Sequence, residues 1–372
     1  MEPAVQAIIV VGAAFFGAAV GSFLNVCIYR LPREGLSVTK PARSFCPTCG
    51  DPVGGLDNIP IVSWILLAGR CRTCKAPISS RYLLVEALTA MFFVVVVHRY
   101  LLAEAPGSWG GCLTLLLVVS GLIVATFIDV DLRLIPDEIT IGGMHIVPFA
   151  VLLFPDLHTR CVDPSLMSLL TFLEPVFRDV HGTVPAVFSG DAAMVTGVGA
   201  VSLSAFAVAS FGYRLYRRRF LSDLPNRFRD VSLAGVIGAV VAGLLTVHFL
   251  RPDLTFAPGV YALWATLVGM LVGSGLVFLV GAIGSRVFRK PAMGFGDVKL
   301  MGLLGAVAGW KGALAGFFIA CFLGAVVGVV RLWLYRDRYL PFGPFLAIGC
   351  LFLALWPDAF ERLLQWYLGL FG

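Results

Sequence analysis

The sequence predicts an all-α polytopic membrane protein of about 8–10 transmembrane helices, carrying a small cytoplasmic four-cysteine zinc-binding domain. Three observations predict it. The chain of 372 residues is 59% hydrophobic and only 13% charged, where soluble domains carry about 25% charge. Apolar runs of roughly 18 residues or more, each long enough to cross a bilayer, recur along the whole chain. Two CxxC turns lie in one short segment after the first of these runs.

The first run, AVQAIIVVGAAFFGAAVGSFLNVCIY, lacks the basic head of a secretory signal and is longer than a signal's apolar stretch, so it reads as a retained helix. Spans are expected at 5–29, 82–102, 111–129, 137–154, 191–213, 231–250, 259–283, 297–310, 312–334 and 341–356. The span 297–310 is short for a crossing. The 41 glycines suit a bundle in which small residues let helices approach closely. The tail DAFERLLQWYLGLF, within 357–372, reads as an amphipathic interfacial helix.

Basic residues gather on one side of this arrangement. Arg30, Arg33, Lys40, Arg43, Arg70, Arg72, Lys75 and Arg81 follow the first span, which puts 31–81 in the cytoplasm and the N-terminus outside. Alternating from there, the arginine-rich 214–229, Arg286 with Arg289 and Lys290, and Arg336 with Arg338 also fall inside. The net charge of +6 is therefore a topology signal and not a nucleic-acid footprint.

CPTC and CRTC supply Cys46, Cys49, Cys71 and Cys74, with 21 residues between the pairs. Two turns, each offering two thiolates, complete the tetrahedron of one structural zinc per chain, although the gap is a residue beyond the usual window. A disulfide or redox role is the weaker reading in a reducing compartment. Cys27, Cys112, Cys161, Cys321 and Cys350 are scattered and read as small packing residues.

Two acidic sites fall at the same depth. Asp129, in TFIDVDLRLIPDEIT, closes an outside-to-inside helix, and Asp297, in KPAMGFGDVKLMG, opens another from the inside. Two carboxyl groups sharing a poorly solvated place divide one proton between them and can activate a water. Gly294 and Gly296 would let a peptide backbone pass close to Asp297. Plainer readings stand beside this one. Asp297 fits a helix cap, Asp137 after Pro136 fits a helix start, and Lys299 can reach headgroups or hold the loop. By chemistry alone, Asp129 and Asp131 are equal candidates.

In order along the chain come GSFLNVCIYRLP (21–32), the two CxxC pairs, ISSRYLLVEALTA (78–90), IDVDLRLIPD (128–137) and MGFGDVKLMG. This set resembles the bacterial type IV prepilin peptidases, the leader peptidase/N-methyltransferases among the GxGD-type membrane aspartic proteases. The resemblance implies that Asp129 and Asp297 are catalytic, which separates Asp129 from Asp131. It implies cleavage after a glycine in the leaders of type IV prepilins or type II secretion pseudopilins at the cytoplasmic face of the inner membrane. It also implies methylation of the new N-terminal residue from S-adenosylmethionine. The methyl-transfer pocket is expected at the zinc domain and neighbouring loops, with Asn25, Arg30 and Glu86 as candidates. Such polar groups inside an apolar helix bundle are functional candidates, while hydrogen bonding between helices is the alternative.

The resemblance covers 1–154 and 259–356. Residues 155–258 depart from it and read as an insertion with an outside loop, two extra spans and an arginine-rich inside loop. Two rival readings use the same residues: a transporter with a regulatory zinc domain, and a non-catalytic pilus or secretion assembly component. A transporter is expected to carry an internal repeat, and none is visible.

Overall fold

The computed structural model describes residues 2–33, 38–39, 44–102, 108–154, 157, 258–290, 292–335, 340–356 and 369. The expected spans 191–213 and 231–250, and nearly all of the tail after 356, lie outside the described residues. Among those described, every regular element is helical: α1 (Pro3–Arg30), a 3-10 turn (Leu56–Asn58), α2 (Val62–Leu66), α3 (Arg81–Leu101), α4 (Trp109–Leu132), α5 (Asp137–Leu153), α6 (Pro258–Phe288), α7 (Phe295–Tyr335) and α8 (Gly343–Leu355). Five of these, α1, α3, α4, α6 and α7, contain stretches long and apolar enough to cross a membrane. The protein is a multi-pass helical membrane protein.

Local chemistry sets the helix ends. The Ser108 hydroxyl accepts the Gly111 amide at the start of α4, and Arg133 closes that helix in the left-handed region. Pro136 then caps α5, with Asp137 and Glu138 at its positive end. The tight IPD link thus turns the chain back where α4 finishes.

The expected spans 297–310 and 312–334 are two helices that meet at a break two residues before the expected junction. Gly309 has φ 68° and ψ 177°, a conformation essentially reserved for glycine. The visible polar marker, Lys311, lies just beyond that break.

Glycines fix the packing. A Cβ on Gly17 or Gly21 would strike α3 at Ala90 or Glu86, so α1 and α3 pack backbone to backbone. Gly269 on α6 and Gly305 on α7 are reciprocal: a Cβ on either would lie 2.1 Å from the other's carbonyl oxygen. Gly316 on α7 and Gly349 on α8 make a similar contact. Close approach through small residues supplies the dispersion contacts that replace a hydrophobic drive in lipid. α4 touches α1, α3, α5 and α8, and 72% of its apolar window is buried, against 22–33% for the other four. The central helix therefore carries Asp129.

Candidate active site

Asp129 sits near the end of α4, four residues before the Arg133 cap. Its carboxyl is buried, and Oδ2 has no hydrogen-bond partner among the described residues. Gly343, the first residue of α8, lies directly over it; a Cβ there would be 2.7 Å from Oδ2. Ile135, from the link to α5, packs under both Gly343 and Gly296. Asp297 is the third residue of α7. Its amide bonds the Gly294 carbonyl at 3.2 Å, and its Oδ2 accepts the Gly294 N–H at 3.3 Å, a reciprocal cap. Two acids 168 positions apart thus arrive at one end of the bundle, separated by glycines and one isoleucine.

Ion pairs frame the two acids. Lys299 Nζ bonds Asp137 Oδ1 at 2.7 Å and lies 4.9 Å from the centre of the Phe295 ring, so it is engaged within the bundle. Asp131 pairs with Arg81 at the start of α3. The two aspartates that sequence chemistry left equal thus differ in setting: Asp131 is exposed and paired, Asp129 is buried beside Asp297. The pairings Lys299–Asp137 and Arg81–Asp131 had no local sequence signal.

The four paired cysteines converge. Their sulfurs all lie within 4.8 Å of one another, and Cys46 Sγ is 3.8 Å from Cys74 Sγ. A tetrahedron with metal–sulfur bonds of about 2.3 Å has edges of about 3.8 Å, so the cluster has the dimensions to hold a metal ion. The two turns are built alike. Phe45 bridges Pro52 around the first, and Arg70 bridges Pro77 around the second. The Cys46 amide bonds the Asp51 carbonyl, and the Cys71 amide bonds that of Ala76. Each loop ends in the left-handed region, at Gly50 (φ 77°) and at Lys75 (φ 58°). Backbone N–H groups of Cys49 and Thr48 pull the Cys46 thiol down to about 6, toward the thiolate a metal requires.

Between this cluster and the ends of α1 and α3 lies a cavity of about 400 Å³. Asn25, Arg30 and Glu86 all line it, with Tyr29, Trp64 and Tyr82. Asn25 Nδ2 donates to the Tyr82 carbonyl at 3.0 Å, while the buried Asn25 Oδ1 has no partner among the described residues. Arg30 Nη1 donates to the Val38 carbonyl at 3.1 Å. Glu86 Oε2 accepts the Ile61 amide at 2.7 Å. Three polar residues spread over 61 positions of the chain therefore line one chamber.

Comparison with known proteins gives two domain matches in chain order. Residues 15–100 match the bacterial peptidase A24 N-terminal domain, and residues 229–329 match the type IV leader peptidase family. Asp297 lies in the second match, and Asp129 lies between the two. The chain is 29% identical over 378 residues to a prepilin leader peptidase/N-methyltransferase of Aeromonas hydrophila, covering 95% of this chain and 91% of that protein. A protein of the same name from Pseudomonas putida is 28% identical over 381 residues, covering 96% and 93%. One from Klebsiella pneumoniae is 41% identical over 133 residues, 34% of this chain and 55% of that protein. No solved structure matches. Two domain matches in order on one chain, with relatives aligned nearly end to end, show that this chain carries a bacterial peptidase A24 N-terminal domain and a type IV leader peptidase domain and is similar along most of its length to prepilin leader peptidase/N-methyltransferases.

Proposed function

We infer that this protein is a prepilin leader peptidase and N-methyltransferase, with Asp129 and Asp297 as its proteolytic pair. The observation that carries the reading is their convergence: one on the buried central helix beside Gly343, the other in a glycine-flanked first turn, with Ile135 packed against both Gly343 and Gly296. The basic-residue distribution supports placing this end of the bundle at the cytoplasmic face of the inner membrane. Type IV prepilins and type II secretion pseudopilins, each with a basic leader before an apolar helix, are the substrates that fit. The apolar helix stays in lipid and leaves the scissile bond at the membrane surface.

One aspartate, ionised, takes a proton from a water as that water attacks the glycyl carbonyl. The other, protonated, donates a hydrogen bond to the developing oxyanion. Collapse of the tetrahedral species breaks the C–N bond, and the new amine leaves with a proton from the pair. Gly294 adds no side chain to the wall beside Asp297, and Gly296 makes room there for Ile135. Lys299 holds that turn against α5 through Asp137.

The methyl-transfer chamber is assigned to the cavity at Asn25, Arg30 and Glu86. S-adenosylmethionine, when bound, supplies an electrophilic methyl group on a cationic sulfur. The chamber's chemistry fits such a guest: an unpartnered Asn25 Oδ1 and the Glu86 carboxyl would attract a cation, and Tyr29, Trp64 and Tyr82 would offer aromatic walls. The four-cysteine cluster is assigned one structural zinc, held by Cys46, Cys49, Cys71 and Cys74. Four sulfurs close the coordination, so its role is to hold the fold of the chamber wall.

Purified protein incubated with a prepilin peptide, with and without S-adenosylmethionine, tests both activities. Asp129→Asn and Asp297→Asn are each expected to lower cleavage by about 10³-fold or more while still methylating a peptide supplied already cut. Full processing by either variant refutes the pair.

A further inference from the structure

The segment between the two CxxC turns is too apolar for a water-facing domain. It reads LDNIPIVSWILLAG over residues 56–69, with Asp57 as its one charge, and that charge is taken by Arg72. Leu56 is 81% exposed, Ile65 60% and Leu66 79%. Trp64 turns the other way, lines the cavity and donates its indole N–H to the Ile78 carbonyl at 3.3 Å. α2 thus has one face on the chamber and an opposite face of bare aliphatic side chains. Contiguous exposed apolar surface of this kind marks a membrane or a protein partner.

The depth of the segment decides between them. The Ile61 amide is bonded to Glu86, the sixth residue of α3. At 1.5 Å per residue this point lies about 7–8 Å inside the start of that span. Packing on α1 agrees. Glu86 Cα lies against Gly21, nine residues and about 13 Å before Arg30. The segment therefore stands level with the inner part of two spans, where Phe23 and Leu84 are themselves exposed. It is also pinned there. Ile61 has φ 64° and ψ −55°, and the Val62 amide bonds the Pro60 carbonyl at 2.6 Å. This is a γ-turn of the strained hand, costly for a β-branched residue and held by the Glu86 carboxylate. Exposed basic residues, Arg70 and Lys75, follow it in the chain, the charge that suits anionic headgroups.

We propose that residues 56–66 form a membrane-seated loop, with Leu56, Val62, Ile65 and Leu66 in the acyl region of the leaflet at this end of the bundle. Phospholipid is the occupant of the exposed face. The chamber behind Trp64 then opens at the bilayer surface, so a chain end anchored in lipid can enter sideways.

The test uses the full-length protein in phosphatidylethanolamine/phosphatidylglycerol nanodiscs, with p-benzoylphenylalanine replacing Leu66, Ile65, Phe15 or Thr73 in turn. Phe15 on α1 is the lipid-facing control and Thr73, in the second CxxC turn, the water-facing one. Retained metal content verifies folding of each variant. After illumination, lipid adducts at 65 and 66 are expected within about 3-fold of those at 15 and at least about 10-fold above those at 73. Adducts at 65 and 66 no higher than at 73 overturn the proposal. So does loss of those adducts in favour of cross-links to an added prepilin peptide, which would make the face a substrate groove.

Discussion

Lys299 on α7 and Asp137 on α5 are joined at 2.7 Å across 162 positions of chain. The bond clamps two first turns together. Asp297 is two residues from one partner, and Asp129 is eight from the other. Their half-buried setting makes the pair more than an exposed ion pair, whose usual worth is under about 1 kcal/mol. Lys299→Met is expected to lower kcat for prepilin cleavage about 10-fold, or about 1.4 kcal/mol, with little change in KM. Asp137→Asn should match it, and the double variant should be no worse than either single one. Additive losses in cleavage assays would show that the two residues act separately.

Metal removal should separate the two activities. Cys46 and Cys71 line the chamber, so loss of the ion loosens its wall, whereas the acid pair meets this region through Arg81 and Asp131. Chelation is expected to release one zinc per chain and abolish methylation of a pre-cut peptide. Cleavage should fall by less than about 10-fold. Metal analysis of the purified protein, followed by both assays after chelator treatment, checks this. Equal loss of both activities contradicts it.

Among the matched positions at which the two cysteine turns differ, Gly50 in the first and Lys75 in the second are both at positive φ. A side chain there costs roughly 1–2 kcal/mol that glycine avoids. Lys75→Gly is therefore expected to slow metal loss to a chelator, and Gly50→Lys to hasten it. A zinc-release time course ranks wild type between the two variants.

Gly269 and Gly305 leave no space for even a methyl group, since the obstructing atoms are backbone carbonyls. Gly269→Ala and Gly305→Ala are each expected to cost about 1–3 kcal/mol or more by forcing α6 and α7 apart. Gly275, on the same helix α6, has nothing within 4 Å of a built Cβ. Gly275→Ala should be neutral or stabilising by up to about 1 kcal/mol, from helix propensity alone. Thermal melting in detergent distinguishes the two outcomes.

Apolar run length and basic-residue placement make the helices legible, because a bilayer imposes one length scale on every crossing. The α4–α5 boundary is equally plain, since Pro136 and Asp137 mark a helix start in any context. The cysteine cluster reads from spacing alone. What sequence cannot supply is pairing at a distance. Lys299 looks as well suited to a phosphate headgroup as to Asp137, and Asp131 as available as Asp129 until Arg81 is found beside it. The junction expected between 310 and 312 falls at Gly309, where the absence of a Cβ allows the non-helical backbone. The apolar face of α2 escapes notice because its run is too short for a crossing and sits inside a segment classed by its cysteines.

The interruption at Gly309 makes α7 two rods and not one. A continuous helix of 41 residues would behave as a lever, and any tilt of its far half would swing Asp297 at the other end. With the helical backbone interrupted, the near half takes its bearing from Gly269 on α6, while the far half takes its own from Gly349 on α8 and leaves Phe318, Phe322 and Trp333 exposed.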